Sequence, residues 1–307
     1  MTEAAAYREF LLNGGIADLS DRVKLALKGA DRVRYLNGQV TSNVTKLRET
    51  QSACVTTAKG RLCAEIMVTA AADALFVDAD AALAETLPAR LERYIVADDV
   101  ELVELPSDTR LLHFLGVMPS VLEKLAGGAP LQRSRRYGID GWDLWTNAGT
   151  LAAIRLEGVA FLSDSLLETI RIEHGIARWG YELDEETLPP EAGLERTHID
   201  YHKGCYIGQE VISRLKSIGH VNRQLTGFIS NDASLASGMR IFNGAPAGEG
   251  MEPKPIGTIT SAAWSFALEK PVALGYLRRG AAIEGLVARL PGMPGVSITA
   301  QALPFVS

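Results

Sequence analysis

The alternation of apolar and polar positions changes period several times along the chain, and each change marks an element. Residues 22–28 read R-V-K-L-A-L-K. Val23, Leu25 and Leu27 share one side with a period of two, which predicts a half-buried strand. Gly29 breaks that pattern. From Val33 the apolar residues step by three and four, through Leu36, Val40, Val44 and Leu47. Those steps make one face of a helix, with Asp31 as its N-terminal cap and Gly38 as its weak point. Residues 52–57 and 62–69 are β-rich and flank Ala58-Lys59-Gly60-Arg61, the signature of a hairpin. Leu83, Leu87, Leu91 and Tyr94 mark a second amphipathic helix, and residues 100–105 a further strand. Strand, helix, two strands, helix, strand is the order of a split βαβ plait.

A second unit of similar kind follows. Residues 111–117 read as a strand, 121–126 as a helix start, and 142–145 as another strand. Residues 163–174 are helical in pattern, with Leu166, Leu167, Ile170 and His174 on one side. Residues 182–195 are acidic and hold Pro189-Pro190, which predicts an irregular surface loop. After Arg223 short β-like stretches recur at 224–229, 239–242, 257–261, 272–277 and 286–290, punctuated by glycine and proline. That spacing predicts a small antiparallel barrel. The expected fold is therefore α+β. A first plait-type unit covers residues 1–105, a second covers 106–222 and interleaves with it, and a C-terminal β-barrel covers 223–307.

Composition narrows the function. With 47% hydrophobic and 22% charged residues, disorder is excluded as the main state. The net charge of −6 speaks against holding a nucleic-acid duplex by broad electrostatics, though a local basic pocket for a small anion fits. No apolar run reaches the ~18 residues of a membrane span. The N-terminal MTEAAAYREFLL has two acids and no basic leading region, unlike a signal peptide. Cys54, Cys63 and Cys205 are an odd number without a C-x-x-C pair. This points to a reducing cytoplasm rather than a disulfide scaffold.

The richest stretch is 202–214, H-K-G-C-Y-I-G-Q-E-V-I-S-R. Gly204 and Gly208 bracket Cys205, which places the thiol on a tight turn before a helix opening at Gln209. With Lys203 two residues away, such a thiol would hold more thiolate. The alternative is a buried, inert cysteine, and the residues alone leave both open. Cys54 and Cys63 lie in strand patterns and keep the inert reading. His198 and His202 are four apart, with Asp200 and Cys205 nearby, a spacing that can share a metal on a helix. No fourth ligand has a recognisable spacing, so hydrogen bonding is the better role for these histidines and no metal site is expected. Three scattered cysteines are not a usual iron–sulfur ligand set either.

The octapeptide K-G-C-Y-I-G-Q-E resembles the signature of the YgfZ/Iba57 proteins, folate-binding members of the superfamily of the glycine cleavage T-protein. Lys28-Gly29-Ala30-Asp31-Arg32 with the following segment 35–44, Arg171-Ile172-Glu173 with Gly175, Gly180-Tyr181-Glu182, and segments 190–194, 257–261 and 273–276 resemble other parts of that superfamily. The likeness spans nearly the whole chain. It implies two α+β units and a barrel around a central folate pocket, with the segments of Gln39, Glu173 and Cys205 converging there. It further implies tetrahydrofolate or a one-carbon derivative as ligand. Glu173 would read the pterin edge, and Arg214 and Arg223 would meet the folate tail. The implied activity is that of an accessory protein in iron–sulfur cluster assembly or repair, with client enzymes or assembly factors as partners. One client class modifies tRNA, so any link to nucleic acid would be indirect. The alternative is a T-protein-like aminomethyltransferase acting on a lipoyl carrier. That enzyme uses an aspartate on the strand after the first hairpin, where this chain has Ala64, and it lacks the cysteine of the octapeptide; both differences favour the accessory protein. Read as residues alone, Glu173 could equally pair with Arg171 or Arg178 on a helix surface, and the two arginines could be solvated.

Overall fold

The computed structural model describes residues 2–126, 130–153, 158–217, 219–231, 233–243 and 254–306. The chain forms two compact units. The first comprises residues 1–163, 184–189 and 194–218, the second residues 164–183, 190–193 and 219–307. In chain order the elements are α1 (Glu3–Asn13), β1 (Gly15–Asp18), β2 (Val23–Lys28), α2 (Arg32–Gln39), β3 (Gln51–Thr56), β4 (Leu62–Ala70), β5 (Leu75–Ala79), α3 (Thr86–Glu92) and β6 (Glu101–Glu104). There follow β7 (Thr109–Leu115), α4 (Pro119–Ala126), β8 (Leu131–Ser134), β9 (Gly141–Asn147), α5 (Ala148–Ala153), β10 (Ala160–Phe161), α6 (Asp164–Glu173) and α7 (Gln209–Ser217). The barrel strands are β11 (Arg223–Ile229), β12 (Arg240–Asn243), β13 (Gly257–Ser265), β14 (Lys270–Arg278), β15 (Leu286–Arg289) and β16 (Val296–Gln301).

The first unit holds two five-stranded sheets. One runs β3-β4-β5-β2-β6 and is antiparallel throughout. Leu25 pairs with Val77, Ile66 with Ala53 and Val55 with Ala64. Period-two alternation therefore puts all six side chains on one face, and each is fully buried. α3 packs on this sheet at β4, with Leu87 and Leu91 buried. The short strand β5 goes beyond the expected plait and enters between β2 and β4. Its signal is only the five residues L-F-V-D-A, in which Leu75, Val77 and Ala79 alternate with Phe76 and Asp78.

The helix expected to run from Val33 to Leu47 stops at Gln39. Val40 is extended and bridges to Val55. Beyond it the polar side chains leave the helical pattern to bond elsewhere: the Thr41 and Ser42 hydroxyls donate to the His198 carbonyl, and Asn43 caps a single 3-10 turn. Asp31 makes no side-chain cap; its carboxylate accepts the Asp99 N–H instead.

The second sheet runs β10-β1-β7-β9-β8. Its strand β1 comes from residues 15–18, so the two sheets interleave in sequence. Ile16, Leu112, Phe114 and Leu144 form its core. A buried charge ladder joins the two sheets. Asp78 of β5 meets Arg22 and Arg136, Arg136 also grips Asp143 of β9, and Asp143 meets His113 of β7. Asp78, Asp143 and His113 are fully buried.

The second unit contains α6 and a closed six-stranded barrel, β11-β14-β13-β12-β15-β16. Phe228, Ile241, Ile259, Ala273, Leu286, Ala288 and Ile298 fill its core. The last strand, β16, was not legible: V-S-I-T-A-Q follows a Gly- and Pro-rich stretch and buries only Ile298. α6 lies against β13 and β14. Among the described residues no helix is long and apolar enough to cross a membrane.

Candidate functional site

The Cys205 loop is clamped on both sides of the thiol. After it, Gly208 has a φ of +92°, and a Cβ there would stand 2.6 Å from both the Thr56 hydroxyl and the Thr57 carbonyl. Only glycine fits that backbone and that approach. The Ile207 N–H donates to the Gly38 carbonyl at 3.3 Å, and the Thr56 hydroxyl donates to the Ile207 carbonyl at 2.6 Å. Before the thiol, Lys203 Nζ donates to the carbonyls of Asn37 and Val40, each at 2.6 Å, and of Ser42 at 2.8 Å. An ammonium has three N–H donors, so all three are committed to the end of α2 and the turn beyond it. Burial lowers the Lys203 pKa to about 8, against the opposing pull of Asp200. This corrects the role expected of Lys203. With no N–H left for a thiolate, it acts as a tether that positions the loop.

Between these tethers Cys205 is exposed, whereas Tyr206 is buried. The other two thiols differ. Cys54 is fully buried, and burial drives its pKa far up. Cys63 is half-buried, and burial also raises its pKa, against the pull of the Arg90 guanidinium.

Gln39 belongs to the same neighbourhood. Its Oε1 accepts from Arg90 Nη1 at 3.1 Å, while Arg90 Nη2 donates to the Thr56 carbonyl at 3.0 Å and the guanidinium lies 4.4 Å from the Tyr94 ring centre. Arg90 thus links Gln39 to the residue whose hydroxyl holds Ile207. The sequence offered no signal for it beyond a cation between Leu87 and Leu91 on an amphipathic helix. Arg214 lies on α7 of this unit and is exposed.

The strand after the hairpin settles a question of orientation. Ala64 points into the apolar face with Ile66 and is fully buried. It does not line a polar site, contrary to the expectation for a residue standing in for a catalytic aspartate. The carboxylate of this strand is Glu65, on the opposite face. Its Oε1 lies 3.2 Å from His198 Nε2. Burial would raise its pKa, but His198, Arg22 and Arg136 outweigh that and lower it. His198 has its other nitrogen 2.7 Å from the Thr197 hydroxyl. Asp200 accepts the backbone N–H of His202 at 2.8 Å. Among the described residues no group of three or more His, Cys, Asp or Glu is placed to share a metal ion.

In the second unit Glu173 ends α6 fully buried. Its Oε1 accepts from the Ser265 hydroxyl at 2.6 Å and from the Ala267 N–H at 3.2 Å, so it holds the β13–β14 hairpin. Arg171, which the sequence offered as a partner, bridges Glu168 and Glu182. Glu182 is the hub here, accepting from Arg171, the Arg178 N–H, and the hydroxyls of Thr260 and Ser261. Arg223 is also engaged: its Nε lies 2.9 Å from Glu191 Oε2, and its guanidinium 4.2 Å from the Tyr276 ring centre. Gln39, Lys203, Cys205 and Arg214 therefore belong to one unit, and Glu173 and Arg223 to the other.

Comparison with known proteins agrees with this architecture. Residues 223–306 match the glycine cleavage T-protein C-terminal barrel domain. An aminomethyltransferase of Rubrobacter xylanophilus is 26% identical, over 86% of this chain and 76% of its own length. A mitochondrial aminomethyltransferase of Gallus gallus is 28% identical, over 85% of this chain and 73% of its own. A mitochondrial iron–sulfur cluster assembly factor, the IBA57 homolog of Chaetomium globosum, is 28% identical over 70% of this chain and 56% of its own. The crystal structure of the glycine cleavage system aminomethyltransferase T from Bartonella henselae superimposes with a TM-score of 0.81 at 20% identity, covering 95% of this chain and 86% of that one. The chain has the fold of the glycine cleavage T-protein, and its residues 223–306 match that protein's C-terminal barrel domain.

Proposed function

We propose that the protein is a tetrahydrofolate-binding accessory protein of the YgfZ type. It assists iron–sulfur cluster assembly or repair in client enzymes of a reducing compartment such as the cytoplasm, and touches tRNA modification only through those clients. The observation that carries this reading is the exposed Cys205 thiol on a backbone clamped at Lys203 and at Ile207. A rigid loop holds a nucleophile or soft ligand in fixed geometry, which suits a thiol that acts on a partner. The similarity to an iron–sulfur cluster assembly factor supports the same reading.

Glu173 is the proposed pterin contact. Glu173 would have to trade the Ser265 hydroxyl and the Ala267 amide for the ligand. Calorimetry with tetrahydrofolate on wild type and Glu173→Ala tests the ligand. Binding by the wild type and a loss of about 1.5–3 kcal/mol in the variant are expected, the scale of a hydrogen bond to a charged group. Equal affinity would remove Glu173 from the site. Client cluster activity in a deletion strain tests the thiol: Cys205→Ser should fold and fail to restore it, and full restoration would overturn its role.

A T-protein-like aminomethyltransferase is the second reading. It is favoured by the transferase relatives and by Glu65, a carboxylate that Ala64 does not remove from the strand's polar face. Ammonia release from an aminomethyl-lipoyl carrier with tetrahydrofolate, at about 1 s⁻¹ or faster, would establish it over the first.

A further inference from the structure

Thr197, His198 and Glu65 form a continuous chain of side chains that the folate reading does not use. Thr197 Oγ1 lies 2.7 Å from His198 Nδ1, and His198 Nε2 lies 3.2 Å from Glu65 Oε1. Burial would raise the Glu65 pKa, but His198 first, then Arg22 and Arg136, outweigh it and lower it, which favours the carboxylate. An ionised carboxylate only accepts hydrogen bonds, so in the neutral imidazole the proton is on Nε2. Nδ1 then carries the lone pair and accepts from the Thr197 hydroxyl. This is the order nucleophile, base, orienting carboxylate.

The frame is rigid at each member. The Thr197 and His198 amides both donate to the Leu194 carbonyl, at 3.2 and 2.8 Å. The Thr197 carbonyl accepts from Ser52 Oγ, and the His198 carbonyl accepts from Thr41 and Ser42. Glu65 is fixed in the ladder of β4 opposite Cys54. Thr197 itself is exposed, so its oxygen can be approached from solvent.

We infer that Thr197 is an activated hydroxyl nucleophile, with His198 as its general base and Glu65 as the group that sets the imidazole tautomer. The electrophile is an ester or thioester carbonyl, the substrate class on which a hydroxyl, an imidazole and a carboxylate in this order act. In the reaction Thr197 Oγ bonds to the carbonyl carbon and its proton passes to His198 Nδ1. The bond from that carbon to the leaving oxygen or sulfur then breaks. The leaving group keeps the electron pair and takes the proton from Nδ1. Water repeats the sequence to release the acid and restore the hydroxyl.

The test uses p-nitrophenyl acetate on the full chain, with peptide mass spectrometry to locate the acetyl group and ¹⁵N NMR to read the His198 tautomer. The expected result is acetylation at Thr197, lost in Thr197→Ala and retained in Thr197→Ser. His198 should be in the Nε2–H form. Glu65→Gln, whose amide can donate to Nε2, should shift the proton to Nδ1 and slow acetylation at least about a hundredfold, the low end for loss of a general base. Acetyl groups found on surface lysines or on Cys205 but not Thr197, or a Thr197 rate unchanged in Glu65→Gln, would overturn the inference. Should Glu65→Gln fail to fold, Thr197→Ala decides alone, since an exposed threonine contributes little packing. Folate affinity is expected to be unchanged in Thr197→Ala, so failure here leaves the folate reading standing.

Discussion

Arg136→Met is the sharpest perturbation of the fold, because one guanidinium holds two buried carboxylates. Nη1 and Nη2 donate to Asp78 at 2.8 and 2.6 Å. Nε donates to both oxygens of Asp143, at 2.9 and 3.0 Å, and Nη2 to one of them at 2.8 Å. Methionine fills the volume and leaves both charges without this partner. Removing one member of a buried pair costs about 3–5 kcal/mol, most of it the burden of the stranded charge. Asp78 keeps Arg22 at 2.5 Å and Asp143 keeps His113 at 2.8 Å, which places the expected loss near the low end, about 3 kcal/mol. With an m-value of about 2–3 kcal/mol/M, the urea midpoint falls by about 1–1.5 M. Tryptophan fluorescence reads the right place, since the Trp145 ring of β9 lies 5.1 Å from the Phe76 ring of β5, across the two sheets.

The pH dependence gives an independent check. Burial would raise the Asp143 pKa, but Arg136 and His113 hold it well below the carboxylate range. A depressed folded pKa contributes stability that is complete above the unfolded value of about 3.9 and is lost as the pH falls below it. The variant lacks most of that contribution. The gap between the two proteins should therefore be full at pH 7.5 and narrow at pH 3.5. A loss below about 0.5 kcal/mol at pH 7.5, the range of ordinary surface substitutions, would refute the account, as would a gap that stays constant on acidification.

Three other outcomes follow from the same geometry. Iodoacetamide at neutral pH should label Cys205 much faster than Cys54 or Cys63, since it is exposed and burial raises the other two thiols; equal rates by peptide mapping would return Cys205 to an inert role. Gly208→Ala should cost at least about 1–3 kcal/mol by urea unfolding, because it forces a positive φ and drives a Cβ to 2.6 Å from the Thr57 carbonyl. Glu173→Gln keeps the shape but weakens the ties to Ser265 and Ala267, so the second unit should lose about 1.5–3 kcal/mol of stability; an unchanged melting curve would mean that those bonds carry no load.

Periodicity carried the elements that bury one face over many residues. β2, β4, α3 and α6 each show a clean stripe, and the glycine-punctuated strands announced the barrel. It failed where the chain is held by distant partners. β5 has five residues, too few to separate from a loop by pattern alone. The stretch from Val40 to Lys46 has helical spacing, yet its hydroxyls and carbonyls are claimed by His198 and Lys203, which lie more than 150 residues away in sequence. A local pattern cannot report a tertiary bond that outweighs it.

The candidate site divides along the same line. That Cys205 sits on a turn before a helix was legible, because Gly208 and the opening at Gln209 are local features. What Lys203 does was not, because an ammonium two residues from a thiol has the same sequence whether it faces the thiol or reaches back to Asn37, Val40 and Ser42. The choice between Ala64 and Glu65 is the clearest instance. Adjacent strand residues face opposite sides, and the sequence alone does not say which side is apolar. Parity in the β3–β4 ladder decides it: Val55 pairs with Ala64 in the apolar layer, and Cys54 pairs with Glu65 on the side of His198. Strand β4 therefore carries a carboxylate, Glu65, on the side of His198, and the proposal of an accessory protein rests on the exposed Cys205 thiol.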